Sequence, residues 1–373
     1  MELFVNSLSR WTPCSRRRIG STRPSTGPSR LSPGPASRRL RGLALALATA
    51  LAVTLPALAG AETTTLTVYS ARNEQLLKPL LDRFTKDTGI AERTLTDKEG
   101  PLLARLRAEQ AGTPADVLIT VDAGNLWQAA REGVLQPIES AVLEKNIPLH
   151  LRDPGKQWFG LSVRARTIVY DKRKVQPDQL SSYEDLAEPK WRGKLCLRTS
   201  KKVYNQSLVA ALIAHLGEPR TEAVVKGWIA NLATDVFADD TALLKAMAAG
   251  QCQVGLVNTY YLGRLLDTEP GLPIGLFWAN QASTGVHMNV SGAGVTRHAK
   301  HPAEARRLIE WLSGDLAQFL YADRDLEYPA NPRIKPASLI AAWGEFKGDQ
   351  LGVDRLGAGQ TRATLLMDRV GYR

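Results

Sequence analysis

Three tyrosines in two short segments offer the side chains best suited to chemistry in this chain. Tyr260 and Tyr261 are adjacent, and Tyr204 lies in the motif Val-Tyr-Asn-Gln-Ser. A phenolate is a hard, anionic oxygen ligand, and the tyrosine pKa of about 10 means that only a strong Lewis acid ionises it at neutral pH. Ferric ion is such an acid, so the tyrosine set predicts a site for Fe(III) rather than for zinc or copper.

The backbone around the tyrosine pair must depart from a regular strand for such a site to form. A lone tyrosine is more often a half-buried amphipathic side chain than a ligand. Neighbouring residues on a strand point to opposite faces, so Tyr260 and Tyr261 can reach one ion only if the chain leaves strand geometry. We therefore predict a turn or a helix start at Thr259.

The chain that follows residue 61 alternates between strand and helix patterns. Residues 65–69 alternate like a strand, and a helix with one apolar face follows and ends at Gly89. A second helix at 102–111 precedes a buried strand at 115–120. This order of elements predicts a mostly parallel sheet with helices on its faces.

A second set of elements begins after residue 161 and delivers the tyrosine pair. Strand 254–257 ends just before Tyr260 and Tyr261, and ligands in open α/β sheets sit beyond the carboxyl ends of strands. We therefore predict an α/β fold with two lobes that form a clamshell, each lobe a mostly parallel sheet flanked by helices. The other elements predicted here are strands at 167–170 and 194–197 and helices at 207–216 and 241–249.

The first 61 residues have the composition of an export signal. Residues 15–41 are rich in Ser, Pro, Gly and Arg, the run 43–59 is apolar, and small residues surround Ala59 and Ala61. A basic region, an apolar run and an A-x-A site describe a secretory signal peptide, and the run is shorter than the ~20 residues that span a bilayer. We therefore predict that residues 1–61 are a signal peptide with a basic leader and that the protein is periplasmic.

The net charge changes when this leader is set aside. The whole chain has 48 Lys and Arg against 37 Asp and Glu, which is a net charge of +11. Residues 1–61 contain nine of the Arg and one of the Glu, which leaves 39 basic and 36 acidic residues and a net charge of +3. The basic character belongs mostly to the leader and does not support nucleic-acid binding.

Two cysteines follow the leader, and two roles are open to them. Cys196 and Cys252 form an even pair, which in an oxidising compartment predicts a disulfide. A two-cysteine metal site is the alternative, although no cluster of histidines accompanies the pair. A disulfide would tie the segment before Tyr204 to the one before Tyr260.

No familiar catalytic motif is present in the sequence. It contains no G-x-S-x-G elbow, no Walker loop and no H-E-x-x-H zinc motif. A binding protein rather than an enzyme is therefore predicted.

Five short segments of the chain carry a resemblance to a known family. The segments are Val-Tyr-Ser-Ala-Arg at 68–72, Val-Tyr-Asn-Gln-Ser-Leu at 203–208, Gly-Leu-Val-Asn-Thr-Tyr-Tyr at 255–261, His-Met-Asn-Val-Ser-Gly at 287–292 and Glu-Tyr-Pro-Ala-Asn-Pro at 327–332. They resemble the periplasmic ferric-ion-binding proteins of iron(III) ABC importers, within the type II periplasmic solute-binding protein superfamily. The resemblance implies that Tyr204, Tyr260 and Tyr261 ligate ferric ion. It also implies interlobe crossovers, a monomer, and delivery of ferric ion or a small ferric chelate to an inner-membrane ABC permease.

The sequence departs from this family just after the first strand. Members often place a His, or a His-Tyr pair, where this chain has Asn73 and Glu74. Glu74 is expected to supply a carboxylate oxygen, which suits a hard cation, and Asn73 is a weaker candidate ligand. Otherwise the first lobe contributes only water or a bound anion.

Two arginines are candidates for a synergistic anion, which members of the family commonly use. Arg164 and Arg166 lie near the expected crossover between the lobes, and a guanidinium offers planar bidentate donors to an anion such as carbonate. Arg166 is the favoured candidate and Arg164 the weaker one. The alternative is that each is a solvated or salt-bridged strand residue.

The same resemblance sets the expected domain limits. The N-terminal lobe is expected at residues 62–160 and 287–335, and the C-terminal lobe at 161–286 and 336–373. The alternative function in this fold is the binding of a small organic or phosphorus-containing solute, such as a phosphonate, a polyamine or thiamine. An exported two-lobed enzyme and a metal sensor are further alternatives, of which the enzyme would require turnover of a substrate.

Overall fold

The computed structural model describes residues 64–373, and the predicted signal peptide lies outside the described residues. Among the described residues no helix is both long enough and apolar enough to cross a membrane. The strands and helices that position the site all lie in this part of the chain.

Ten strands and twelve α-helices are defined in the described residues. The strands are β1 (Thr65–Ser70), β2 (Ala91–Thr96), β3 (Val117–Val121), β4 (Leu135–Gln136), β5 (Phe159–Asp171), β6 (Leu195–Cys196), β7 (Val254–Asn258), β8 (Ile274–Phe277), β9 (His287–Thr296) and β10 (Tyr328–Pro329). The helices are α1 (Glu74–Thr88), α2 (Glu99–Glu109), α3 (Ala123–Arg131), α4 (Ala141–Asn146), α5 (Val203–Leu216), α6 (Glu218–Ala230), α7 (Asp240–Ala248), α8 (Thr259–Thr268), α9 (Pro302–Ser313), α10 (Asp315–Asp325), α11 (Ser338–Ala341) and α12 (Val353–Arg369). Short 3-10 helices lie at Gln110–Gly112, Leu149–Leu151, Pro177–Gln179, Asp185–Ala187 and Pro189–Trp191.

The strands form one mixed sheet in the order β2-β1-β3-β9-β5-β7-β6. The pairs β1–β2, β1–β3 and β6–β7 are parallel, which is the arrangement expected of βαβ units. The antiparallel pairs all involve β5 or β9, the two longest strands. The α/β fold class is confirmed, and its antiparallel part comes from the two long strands that run through the middle of the sheet.

Helix α1 shows how the local sequence sets an element. Asn73 caps its N-terminus by accepting a hydrogen bond from the backbone N–H of Gln75, and Gly89 ends it with φ 74. The helix buries one apolar face, and each buried leucine or phenylalanine on it contributes roughly 1.5–3 kcal/mol. The predicted stop at Gly89 is confirmed. The buried residues of the face are Leu77, Leu80, Leu81 and Phe84.

Two main hydrophobic cores lie along the sheet. The first core is built on β1, β3 and helices such as α1, α2 and α9, and the second on β7 and helices such as α5, α6 and α12. Strand β5 contributes to both, since Val163 belongs to the first core and Ala165 to the second. Arg164 is therefore placed where β5 passes from one core to the other. The limits given above for the two lobes stay a prediction.

The disulfide predicted from the cysteine count is present. Cys196 and Cys252 are bonded, with their Cα atoms 5.9 Å apart. The bond lies in a third, smaller cluster with Leu243, Met247 and Leu262. It fastens β6 beside the start of β7, the strand that leads to the tyrosine pair.

Candidate metal centre

Two helix N-termini bring the three predicted tyrosines together. Tyr260 and Tyr261 lie in the first turn of α8, which begins at Thr259 directly after β7, and Tyr204 lies in the first turn of α5. Successive residues on a helix are rotated by about 100° rather than pointing to opposite faces, so adjacent rings can lie on one side. The predicted departure from strand geometry at Thr259 is confirmed.

The rings and hydroxyls of these tyrosines form one contiguous group. The ring centroids of Tyr260 and Tyr261 are 4.4 Å apart, with their planes inclined by 33°. The Tyr260 hydroxyl donates a hydrogen bond of 3.3 Å to the hydroxyl of Tyr204. Tyr204 and Tyr260 are only 6% and 5% exposed, while Tyr261 is partly exposed. The arrangement presents three phenol oxygens to one small region.

Burial keeps two of these phenols in the neutral form. It raises the pKa of Tyr204, and Tyr261 raises it further, whereas Arg164 and Lys202 lower it. Burial also raises the pKa of Tyr260 well above its ordinary value, and its two tyrosine neighbours add to the rise. Neither group ionises at neutral pH without a strong Lewis acid beside it.

Three cationic side chains face Tyr204. The guanidinium carbons of Arg164 and Arg198 lie 5.7 and 5.5 Å from its ring centroid. The ammonium nitrogen of Lys202 lies 4.9 Å from the same centroid. Arg198 also donates a hydrogen bond of 3.4 Å to the Tyr261 hydroxyl. This positive environment favours phenolate over phenol.

A fourth cation connects Tyr260 to a buried acid–base cluster. The guanidinium carbon of Arg264 lies 4.8 Å from the Tyr260 ring centroid, and its Nη2 donates to the carbonyl of Asp325 at 2.9 Å. Nη2 is also 4.0 Å from the carboxylate of Glu327. Glu327 accepts two hydrogen bonds from Arg72, at 3.1 and 3.2 Å. The charges behind Tyr260 are thus fixed by paired and buried partners.

Sequence reasoning did not identify Arg198, Lys202 or Arg264 as part of the site. A local signal existed for two of them. Lys202 precedes Tyr204 by two residues, and Arg264 follows Tyr260 by four, one helical turn. Arg198 has no such signal, because the chain path from β6 brings it to the tyrosines.

Arg166 is placed differently from the prediction that it binds an anion. Its side chain is 1% exposed and is used to join β5 to three other elements. Four of its five N–H groups already have acceptors within the protein, which favours the alternative that Arg166 is a salt-bridged strand residue. The acceptors are Asn205 Oδ1 at 2.9 Å, Asp240 Oδ2 at 2.9 Å, Asn258 Oδ1 at 3.1 Å and the carbonyl oxygen of Leu256 at 3.0 Å.

Arg164, unlike Arg166, keeps an unpaired buried donor that suits an anion. Its Nη2 donates to Ser291 at 2.5 Å, while its buried Nε has no partner within residues 64–373. The amide nitrogen of Asn258 and the hydroxyl of Thr259, which directly precede the tyrosine pair, are also buried without a partner in that range. Unpaired buried donors beside a cluster of cations suit a bound anion.

The structure places Asn73 and Glu74 at the start of α1, and their assignment as ligands stays a prediction. The Asn73 side chain is occupied as the N-cap of α1. Glu74 is exposed and lines a surface depression of about 110 Å³ together with Lys78, Glu92 and Thr94 on α1 and β2. The loop after β1 turns directly into α1, so these side chains lie at the start of the helix.

Histidine contributes little to a metal site in the described part of the chain. Within residues 64–373, no group of three or more His, Cys, Asp or Glu side chains is arranged to hold a metal ion. Burial lowers the pKa of His287 to about 4, and its backbone N–H donates to the hydroxyl of Tyr183. This histidine lies in the packed interior at the start of β9.

Comparison with known families and proteins gives matches over most of the described chain. The bacterial extracellular solute-binding protein family matches residues 112–342. Iron uptake protein A1 of Synechocystis sp. is 41% identical over 312 residues, which is 82% of this chain and 87% of that protein. The Fe(3+)-binding periplasmic protein of Serratia marcescens is 29% identical over 279 residues, which is 72% of this chain and 81% of that protein.

A solved structure shares the whole architecture. The FutA (IdiA) protein of Trichodesmium, determined in complex with iron and citrate ligands, has a TM-score of 0.80 and 42% sequence identity. The match covers 83% of this chain and 100% of that one. The two-lobed fold predicted from the sequence is therefore confirmed.

Proposed function

This chain belongs to the bacterial extracellular solute-binding protein family, in its ferric-ion-binding branch, and we propose that it captures Fe(III) through the phenolates of Tyr204, Tyr260 and Tyr261. The carrying observation is the 3.3 Å hydrogen bond between the Tyr260 and Tyr204 hydroxyls, with Tyr261 beside them. In this proposal the protein acts in the periplasm and passes the ion to an inner-membrane ABC permease. The names of its relatives, which specify iron uptake and Fe(3+) binding, support the choice of cargo.

Ferric ion supplies the charge that these buried phenols lack. Three phenolates balance the +3 charge of the ion, and the low-dielectric surroundings strengthen the attraction. Each phenol that becomes a ligand releases its proton, so binding couples to pH. Arg198 and Lys202 stabilise the phenolates by proximity, since both lie beside the Tyr204 ring.

A small anion completes the coordination in this proposal. Three phenolates leave ferric ion short of its usual six oxygen ligands. The unpaired Nε of Arg164 and amide of Asn258 are donors suited to carbonate or to a carboxylate of a ferric chelate. The iron and citrate in the Trichodesmium relative support an anion of this chemical class.

A spectroscopic titration tests the assignment directly. Iron-stripped protein lacking residues 1–61 is titrated with ferric citrate and followed by its visible absorption. Wild-type protein is expected to develop a tyrosinate-to-iron charge-transfer band that saturates at one ion per chain. Tyr204→Phe and Tyr260→Phe are each expected to weaken and shift the band and to lower the affinity, because each removes one phenolate ligand.

Tyr170→Phe is the matched control, since it removes a hydroxyl from the far end of the same strand pair. Tyr170 is opposite Val254 at the start of β7, whereas the tyrosine pair follows the end of that strand. It should bind iron like the wild type. Full ferric affinity in Tyr204→Phe would overturn the ligand assignment, and a colourless protein that binds a small organic solute tightly would support the alternative function.

A further inference from the structure

An ion pair joins the two hydrophobic cores beside the tyrosine cluster. Glu99 begins α2, whose Leu103 is part of the first core, and Lys202 immediately precedes α5, whose Leu208 is part of the second. The Lys202 ammonium donates a hydrogen bond of 3.1 Å to the Glu99 carboxylate. The pair therefore forms only when α2 lies against the start of α5.

The same ammonium is placed over a candidate ligand. Lys202 Nζ is 4.9 Å from the ring centroid of Tyr204, the shortest of the three cation distances to that ring. The Lys202 and Glu99 side chains are 26% and 20% exposed, so solvent screens their charges only in part. Glu99 thus limits where the flexible lysine side chain can place its charge.

The neighbouring Arg198 has a different kind of anchor. Its Nη1 lies 3.6 Å from the buried carboxylate of Asp240, which begins α7, and Asp240 also pairs with Arg166. These partners belong to the part of the molecule that carries the tyrosines, so the Arg198 charge does not depend on α2. Of the two cations, only Lys202 is held by a side chain of α2.

We propose that Lys202 is a positioning residue for the Tyr204 phenolate and that Glu99 holds it there, so that contact between α2 and α5 slows the release of ferric ion. This inference rests on the proposed function, because it takes Tyr204 as a phenolate ligand. Glu99 contributes no bond to the ion in this arrangement. It acts through the lysine.

Two observable consequences follow from a cation beside a phenolate. The positive charge lowers the energy of the phenolate electrons, which moves the charge-transfer band to shorter wavelength. Its attraction for the negatively charged ring also holds the Tyr204 side chain in place as a ligand, which slows the release of iron. A residue that served only the packing of α5 would affect folding stability without moving the band.

The test compares iron-loaded wild-type protein with Glu99→Gln, Lys202→Met and the double variant at pH 7.5. Iron transfer to excess EDTA gives the release rate, and the absorption maximum is read on the same samples. Each single variant is expected to release iron roughly two- to fivefold faster and to absorb at longer wavelength. Glu99→Gln should add nothing in the Lys202→Met background, because it acts through that lysine, and Lys202→Arg should restore most of the wild-type behaviour.

Glu144→Gln is the matched control. Its carboxylate pairs with Lys156 at 2.9 Å on the protein surface, so the substitution removes a comparable ion pair that has no contact with the tyrosines. It should leave both the rate and the band unchanged.

The outcomes separate this inference from the proposed function. If the wild type develops the charge-transfer band and neither single variant shifts it or changes the release rate, the positioning role alone is overturned. Additive effects of the two substitutions overturn it as well, because Glu99 would then act independently of Lys202. A wild-type protein that develops no band overturns the proposed function, and this inference with it.

Discussion

The carboxylate of Asp122 accepts a hydrogen bond of 2.6 Å from the hydroxyl of Ser207, and both side chains are fully buried. Ser207 lies on α5 one turn after Tyr204, while Asp122 caps α3 with φ 74, an uncommon value for a residue with a Cβ. The amide of Asn289 on β9 donates to the same carboxylate at 2.8 Å. Asp122 therefore connects the helix that carries Tyr204 to β9 and α3.

The stability difference between the wild type and Asp122→Asn is expected to depend on pH. Burial raises the pKa of Asp122 to about 6, although bonds from Ser207 and Gly124 act to lower it. Between about pH 4 and 6 the native state keeps a proton that the unfolded chain loses, so this carboxyl lowers the free energy of unfolding as pH rises. Asparagine does not titrate.

Urea unfolding of both proteins at several pH values between 4 and 7 measures this effect. The advantage of the wild type over Asp122→Asn should shrink by about 2 to 3 kcal/mol across the range. Ser313→Ala, which removes a buried hydroxyl that does not titrate, should show a constant difference instead. A constant difference for Asp122→Asn would mean that its pKa is not raised in the folded protein.

The affinity for ferric ion is expected to rise steeply with pH. Burial raises the pKa of both Tyr204 and Tyr260, so both phenols are protonated at neutral pH before the ion binds. Ligation then releases at least two protons, and the logarithm of the affinity should rise by at least two per pH unit between roughly pH 6 and 8. Competition with a chelator of known pH dependence measures the slope.

A variant with one fewer phenol gives the corresponding control. Tyr204→Phe should lower the slope by about one, since one proton fewer is displaced. Tyr170→Phe should leave it unchanged. An equal slope in wild type and Tyr204→Phe would be incompatible with ligation by that residue.

Substitution of the two neighbouring arginines is expected to separate binding from folding. Arg166→Gln leaves the buried Asp240 carboxylate without its 2.9 Å partner and should destabilise the protein by about 3–5 kcal/mol. Arg164→Gln should instead lower ferric affinity in the presence of bicarbonate, with a smaller loss in the free energy of unfolding. Urea unfolding and iron titration with and without bicarbonate distinguish the two, and equal effects of bicarbonate on Arg164→Gln and wild type would contradict the role of Arg164.

Much of the fold follows from short-range sequence patterns. The stop of α1 at Gly89 follows from apolar spacing and a residue that tolerates positive φ, both of which are local. The helix start at Thr259 follows from a geometric requirement, because two adjacent tyrosines cannot face one ion from a strand. Predictions of this kind need no knowledge of distant residues.

Other parts of the site depend on partners that are distant in the sequence. Arg164 and Arg166 point to the same face of β5. Only their partners on other elements show that Arg164 keeps an unpaired Nε while most N–H groups of Arg166 have acceptors. Arg72 and Glu327 are paired across 255 positions of sequence. Asn73, in contrast, has a local role as the N-cap of α1.

Loss of the disulfide is expected to destabilise the protein and to loosen the approach to the tyrosine pair. Cys196 and Cys252 are separated by 56 positions, so the bond removes substantial freedom from the unfolded chain. Cys196→Ser combined with Cys252→Ser should lower the free energy of unfolding by about 2–5 kcal/mol. Thermal unfolding measures this loss of stability in two comparisons: the double variant against wild type, and wild type with and without reductant. If neither comparison shows a change, the disulfide has no structural role.

Glu327→Gln is expected to destabilise the protein at neutral pH and to lose that effect in acid. Burial alone would raise the pKa of Glu327, but Arg72 and Arg164 lower it to about 2. A carboxyl with a depressed pKa contributes stability above its unfolded value of about 4.3, and the contribution disappears as pH falls towards 2. The neutral amide also leaves the buried Arg72 guanidinium paired only with Asp325, so a loss of about 3 kcal/mol is expected at pH 7.

Urea unfolding at pH 7 and pH 3 measures this effect, and the difference in stability between Glu327→Gln and wild type should shrink in acid. The control Glu139→Gln, which removes an exposed partner of Lys156, should show no such trend. A difference that persists undiminished at pH 3 would indicate that Glu327 acts by shape rather than by charge.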